Sequence, residues 1–235
     1  RCGSRRAAPR RREHGPARPT ETASVRSGRG ARAHRRRAKP EARATTVSTP
    51  LLRPGGVGTL DAPIRRWRDG PVPADADAVE RLVAATGFFR PSEVAIAREL
   101  VEDCLARGPE ASGYHFVLAD DVRGLAGYVC FGPIAGTEGS FDLYWIAVRP
   151  DRGGRGLGTA LLAAAEARIA AAGGRRVYVE TSTTERYAPT RAFYAARGYR
   201  LEATLPDFYA PGDGKAFFVK VLGGCEVPPC GSVRS

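Results

Sequence analysis

Residues 145–162, WIAVRPDRGGRGLGTALL, hold the residue types best suited to gripping an anion. The apolar run Trp145 to Val148 reads as a strand, and Pro150 stops it. Gly153, Gly154, Gly156 and Gly158 follow, interrupted by Arg155 and Leu157, and an Ala/Leu-rich helical pattern begins at once. Residues without side chains let a backbone approach a ligand closely, and the first N–H groups of a helix lack internal partners. Those donors and the positive end of the helix dipole together favour phosphate. Arg152 and Arg155 add charge.

Three phosphate-loop chemistries compete for this segment. A nucleotide P-loop requires Lys-Ser/Thr after its last glycine, whereas Gly158 precedes Thr159 and Ala160. A dinucleotide-binding turn requires G-x-G-x-x-G tight against its strand, and the pattern fails at Thr159. Glu180, at the end of the next strand, nevertheless keeps that reading open. The third reading is a loop for the pyrophosphate of an acyl-coenzyme A. A plain glycine turn before an ordinary core helix is the bland alternative.

The elements around the loop follow from periodicity and punctuation. Ile64–Trp67 reads as a strand, 76–86 as a helix, and 91–108 as a second helix opened by Pro91 and closed by Gly108. Strands are expected at 114–119, 125–131 and 141–148, then the loop and a helix over 156–172 that Gly173-Gly174 closes. A strand over 176–180, a helix over 189–197 and strands at 199–205 and 215–221 complete the chain. This order predicts one α/β domain over residues 61–222, a mixed sheet with helices on its faces.

The net charge of +12 looks like that of a nucleic-acid binder until it is divided. Residues 1–60 carry 16 Lys/Arg against 3 Glu, while residues 61–222 carry 20 Lys/Arg against 21 Asp/Glu. The leader has almost no large apolar residue, so it is expected to be disordered. Its arginines can bind phosphate backbones weakly, but no aromatics interleave them as a stacking platform. It is read as a solvated tail, with an organelle transit peptide as the alternative that its scarce serines weaken. Residues 223–235 are expected to form a flexible tail. Cys104 and Cys130 lie in apolar patterns and read as buried small residues, while Cys225 and Cys230 flank two prolines without a second pair for a metal. No run of 18 apolar residues exists, so no membrane span is expected; with scattered cysteines, a soluble, reducing, cytoplasmic setting is the default expectation.

Two segments together resemble the GNAT superfamily of N-acetyltransferases, along roughly residues 63–222. The loop resembles the family's Gln/Arg-x-x-Gly-x-Gly/Ala signature, departing at its first position, which is Gly153. The segment Thr190-Arg191-Ala192-Phe193-Tyr194-Ala195-Ala196-Arg197-Gly198-Tyr199 resembles its A-x-x-F/L-Y-x-x-x-G-F motif, with Tyr187 where an Asn is frequent. The resemblance implies a GNAT-like fold, a mostly antiparallel twisted sheet splayed between its fourth and fifth strands. It implies acetyl-CoA as the acetyl donor, with Ile146, Ala147 and Val148 along the pantetheine arm. Arg152, Gly153, Gly154, Arg155, Gly156, Leu157, Gly158 and Thr159 would hold the pyrophosphate.

The chemistry so implied is direct attack of a primary amine on the thioester through a tetrahedral intermediate. A backbone N–H of Ile146 or Ala147 would stabilise its oxyanion. Tyr194 matches the tyrosine near the CoA sulfur and would protonate the leaving thiolate. Glu180 matches a glutamate used as base by ribosomal-protein-type members, and Asp142 lies near where histone-type members carry theirs. Strand alternation would put Asp142, Tyr144, Ile146 and Val148 on one face. The segment Leu205–Lys215 resembles a tyrosine-bearing loop over the acceptor, with Asp207, Phe208 and Tyr209 as candidate contacts and Asp213 as a further acid. His115, alone in the body, reads as structural. No metal is implied. Small amines, aminoglycosides and peptide N-termini all remain open as acceptors, as does a homodimer. The rival readings are a non-catalytic acyl-CoA sensor of the same fold and a nucleic-acid-associated protein acting through its leader.

Overall fold

The computed structural model describes residues 63–223. The leader (1–60), Cys2, Cys225, Cys230 and the tail beyond Gly223 lie outside them. Seven strands form one sheet: β1 (Arg66–Asp69), β2 (His115–Asp121), β3 (Gly124–Pro133), β4 (Ser140–Val148), β5 (Arg176–Ser182), β6 (Arg200–Ala210) and β7 (Asp213–Val221), in spatial order β1-β2-β3-β4-β5-β7-β6. Every neighbouring pair is antiparallel except β4–β5. The helices are α1 (Asp75–Ala85), α2 (Pro91–Ser112), α3 (Leu157–Ala171) and α4 (Ala188–Ala195).

Helices cover both faces, because each brings one apolar stripe to the sheet. Val79, Leu82 and Val83 of α1 join Leu100 and Val101 of α2 over Tyr128, Trp145 and Ala147. Leu161, Leu162, Ala165 and Ile169 of α3 join Phe193 and Tyr194 of α4 over Val129, Ile146, Val177 and Val179. Cys104 and Cys130 are buried thiols, as their apolar settings predict. Gly108 breaks α2 at φ 77°, where sequence placed its end, and Pro109 opens one further turn. The edge strand β1 is tied down by Arg68. Its guanidinium donates to Asp75 at 2.7 and 2.9 Å and to Asp120 at 2.7 Å, joining β1, α1 and β2.

Two irregularities in the sheet bear on function. The parallel β4–β5 ladder has three pairs, Ser140↔Arg176, Phe141↔Val177 and Asp142↔Tyr178, and then stops. The C-terminal halves of both strands run on without pairing to each other, which leaves an open seam. Beside it, Cys130 faces Trp145 while Phe131 faces Leu143, so Tyr144 is an extra residue on β4. This bulge overturns the expected alternation. Tyr144 packs with Trp145 and Ala147 on the α1–α2 face, while Ile146 and Val148 return to the face of Phe141 and Leu143. A bulge leaves one residue unpaired and shifts the face of everything after it.

Candidate functional site

The seam opens toward the C-terminal ends of β4 and β5. The chain leaving β4 at Val148 makes a 3-10 turn at Pro150–Arg152, then the glycine loop, then α3. This connection puts the first turn of α3 at the open end of the seam. Gly154 and Gly156 hold φ of +70° and +82°, which L side chains rarely adopt, and a Cβ at either would meet nothing within 4 Å. Space, and not only backbone conformation, is therefore free above the loop. Gly156 caps α3 without any side-chain cap bond. The leading N–H groups of α3 keep their donor capacity for an outside acceptor.

The arginines of the loop divide. Arg152, read from sequence as charge for a phosphate, turns its guanidinium into Asp121 at 2.7 and 2.8 Å. Arg149 binds the same carboxylate and also Asp151 at 2.6 Å. The charge of Arg152 is thus spent on bracing the loop from β2. Arg155 remains on the exposed crest of the loop. Sequence reasoning missed another cation. Arg197, on the turn after α4, donates from Nε to Thr159 Oγ1 at 3.1 Å and lies 3.6 Å over the Phe193 ring. It therefore stands beside the first turn of α3. Its place in the second motif was its only local signal.

Asp121 is the strut of this loop. Burial by itself would raise its pKa. Bonds from Arg149, from the Arg123 backbone N–H and from Arg152 outweigh that and pull it from the ordinary 3.8 to about 2. A carboxylate held low in the folded state contributes stability above the unfolded pKa. That contribution is lost as pH falls from about 4 through about 2. Asp121→Asn is expected to cost on the order of 1–2 kcal/mol at pH 7. Thermal midpoints at pH 7 and pH 2.5 check this, since the variant should differ from wild type far more at the former.

Tyr194 is fully buried, ringed by Phe193 and Tyr199 at 5.4 Å and by Phe218 at 6.4 Å between ring centres. Burial raises its phenol well above the usual tyrosine range, so it stays protonated at any ordinary pH. Glu180 lies on β5 beyond the last β4 pair, and its carboxylate meets Lys215 Nζ at 2.6 Å. Lys215 is itself buried, its ammonium 3.8 Å over the Phe208 ring. Sequence reasoning passed over it as the end of a hairpin. Asp142 sits in the closed end of the seam, paired with Gly132 and Tyr178.

The Leu205–Lys215 segment is not an open loop. Strand β6 runs to Ala210, but Pro206, Asp207, Phe208 and Tyr209 bulge out between the Leu205↔Lys215 and Ala210↔Asp213 pairs, and Pro211 and Gly212 make the turn. Asp207, at φ 52°, accepts the Gly212 N–H at 2.7 Å and so serves the turn. Phe208 belongs to the Lys215 cluster. Of the expected acceptor contacts, Tyr209 and Asp213 line a cleft of about 150 Å³, which Arg90, Glu93, Arg186 and Tyr187 also border. Ser182, at the end of β5, lines it too and donates to Asp213 at 2.5 Å. His115, in β2, stacks its ring on Phe131 of β3. Among the described residues no group of three or more His, Cys, Asp or Glu can hold a metal, and no helix is long and apolar enough to cross a membrane.

Comparison with known proteins agrees with this geometry. No curated protein matches the chain significantly. A solved GNAT-family structure from Desulfovibrio desulfuricans is 46% identical, covers 67% of this chain and 99% of its own, and superposes with a TM-score of 0.65. The fold is shared at lower identity by an aminoglycoside 6'-N-acetyltransferase solved with coenzyme A (19% identity; 66% of this chain, 94% of that; TM-score 0.52). It is shared too by the ribosomal-protein-S18-alanine N-acetyltransferase of Escherichia coli (16%; 68% and 96%; TM-score 0.54). The acetyltransferase (GNAT) family model matches residues 79–199, from α1 to the end of the Tyr194 motif, and the chain belongs to that family.

Proposed function

We propose that this protein transfers an acetyl group from acetyl-CoA to a primary amine. The observation that carries the reading is the unpaired seam between β4 and β5 with the uncapped first turn of α3 at its mouth. A pantetheine arm is itself an amide chain. It can take up the free backbone positions of Ile146, Ala147 and Val148 as an added strand would. The diphosphate then falls on the N–H groups of residues 154–159, with Arg155 and Arg197 beside it, while the Gly153 N–H is already given to the Pro150 carbonyl at 3.2 Å.

In this reading the amine nitrogen attacks the thioester carbonyl and the C–S bond breaks. Glu180, 2.6 Å from Lys215 Nζ at the open end of β5, takes the amine proton, directly or through water. A backbone N–H of Ile146 or Ala147 stabilises the oxyanion. Tyr194 supplies the proton to the departing sulfur. Asp142, in the closed end of the seam, is the less suited base. The amine enters through the cleft of Tyr209 and Asp213. Arg152 acts on the cofactor indirectly, by bracing the loop. The setting is cytoplasmic.

Calorimetry with acetyl-CoA, followed by release of the CoA thiol across a panel of amines, tests the proposal. Micromolar binding together with turnover of at least one amine is expected. Binding with no turnover on any amine would replace the enzyme by an acyl-CoA sensor.

A further inference from the structure

The start of β7 holds a primary amine of the chain's own beside the open end of β5. Lys215 is paired with Ser182 of β5 and Leu205 of β6, and is only 8% exposed. Its Nζ lies 2.6 Å from Glu180 Oε2. The same atom lies 3.8 Å from the centre of the Phe208 ring, 5.2 Å from that of Phe217 and 5.7 Å from that of Tyr209. One carboxylate and three aromatic rings around an ammonium form a cage for a primary amine. Tyr209 also lines the cleft of Ser182 and Asp213, so the cage adjoins the path along which an acceptor would enter.

Lysine is scarce in this chain. Of its 37 Lys/Arg residues only Lys39, Lys215 and Lys220 are lysines. Lys39 belongs to the leader, outside the described residues. Lys220 falls on the opposite face of β7, paired with Glu166 of α3 at 2.7 Å. A position that needs only a cation between a carboxylate and aromatic rings suits arginine, whose planar fork bonds in two places and stacks. A guanidinium keeps its proton, whereas an ammonium that yields one to a carboxylate becomes a nucleophile. Base catalysis by Glu180 requires the reacting amine within hydrogen-bond reach of its carboxylate. Lys215 already occupies that place.

We propose that Lys215 is an internal acceptor, acetylated by its own chain from bound acetyl-CoA when no outside amine competes for Glu180. The inference rests on the acetyl-CoA reading above and on Glu180 as its base. Glu180 takes one proton from the ammonium and passes it to water. The freed lone pair forms the C–N bond at the thioester carbonyl, and the C–S bond breaks. The second N–H proton, lost as the amide forms, balances the one that Tyr194 gives to the sulfur. The products are an acetylated Lys215, the CoA thiol and one proton in solvent. The neutral amide no longer pairs with Glu180, which leaves that carboxylate to an incoming amine.

The test incubates the full chain with acetyl-CoA and no added amine, and follows acetylation by intact mass and peptide mapping. Lys215 should gain one acetyl group at least tenfold faster than Lys39 or Lys220, with a rate constant independent of protein concentration. Lys215→Arg should abolish this gain, and Glu180→Gln should slow it at least tenfold. Acetyl-CoA binding without acetylation of Lys215 overturns the inference and leaves the acetyltransferase reading standing. So does acetylation spread evenly over the three lysines, a rate constant that rises with protein concentration, or labelling as fast in Glu180→Gln as in wild type. Failure of acetyl-CoA to bind in calorimetry overturns both.

Discussion

Tyr194→Phe is expected to lower kcat by about 100-fold while leaving acetyl-CoA affinity within twofold of wild type. Proton delivery to a leaving group by a positioned acid contributes roughly 10²–10⁴ in rate. The lower end applies because water entering through the seam can replace the phenol in part. The ring remains in the variant, so its packing against Phe193, Tyr199 and Phe218 survives. Loss of one buried hydroxyl should change stability by about 1 kcal/mol at most. Steady-state kinetics with calorimetry on the same preparation separates the two effects. Wild-type turnover by the variant would remove Tyr194 from the acid role and leave it a packing aromatic.

Gly156→Asp is expected to weaken acetyl-CoA binding by at least 100-fold. Two costs add. A residue with a side chain at φ +82° pays roughly 1–2 kcal/mol of backbone strain, although Asp is among the residues that tolerate this region best. The new carboxylate also stands where a diphosphate should sit, at the head of α3. Gly156→Ala separates the terms, since it carries the strain without the charge and should lose only part of the affinity. Calorimetry on both variants is sufficient. Wild-type affinity in Gly156→Asp would move the diphosphate to another place on the molecule.

How far the molecule could be read from its residues depended on the range of the forces involved. Local punctuation was dependable. Pro150 ends β4, Gly173 and Gly174 follow α3, and Pro91 starts α2, because these residues act through their own backbone. The strands and helices around them emerged in the right order. The bulge at Tyr144 did not, since alternation is a rule for regular pairing and says nothing of where pairing slips. The resemblance put an acceptor-covering loop over Leu205–Lys215, whereas β6 runs on to Ala210 with Pro206–Tyr209 bulging out between the Leu205 and Ala210 pairs with β7. The ion pairs were hidden altogether. Arg152 with Asp121, and Glu180 with Lys215, meet only because strand order brings them together. For the same reason a cleft joining the α1–α2 connection to β7 had no signature along the chain.

The three-pair ladder between β4 and β5 has a mechanical meaning. The sheet is two ribbons riveted at one end, and the chain alone cannot zip the other. A donor molecule lying in that gap would supply missing rungs, making the reagent a structural member for as long as it stays. At a thousandfold excess over its dissociation constant it would add about 4 kcal/mol to the folded state. Amide exchange along Ile146–Val148 should then slow sharply, and spent cofactor would leave by unfastening the same rungs.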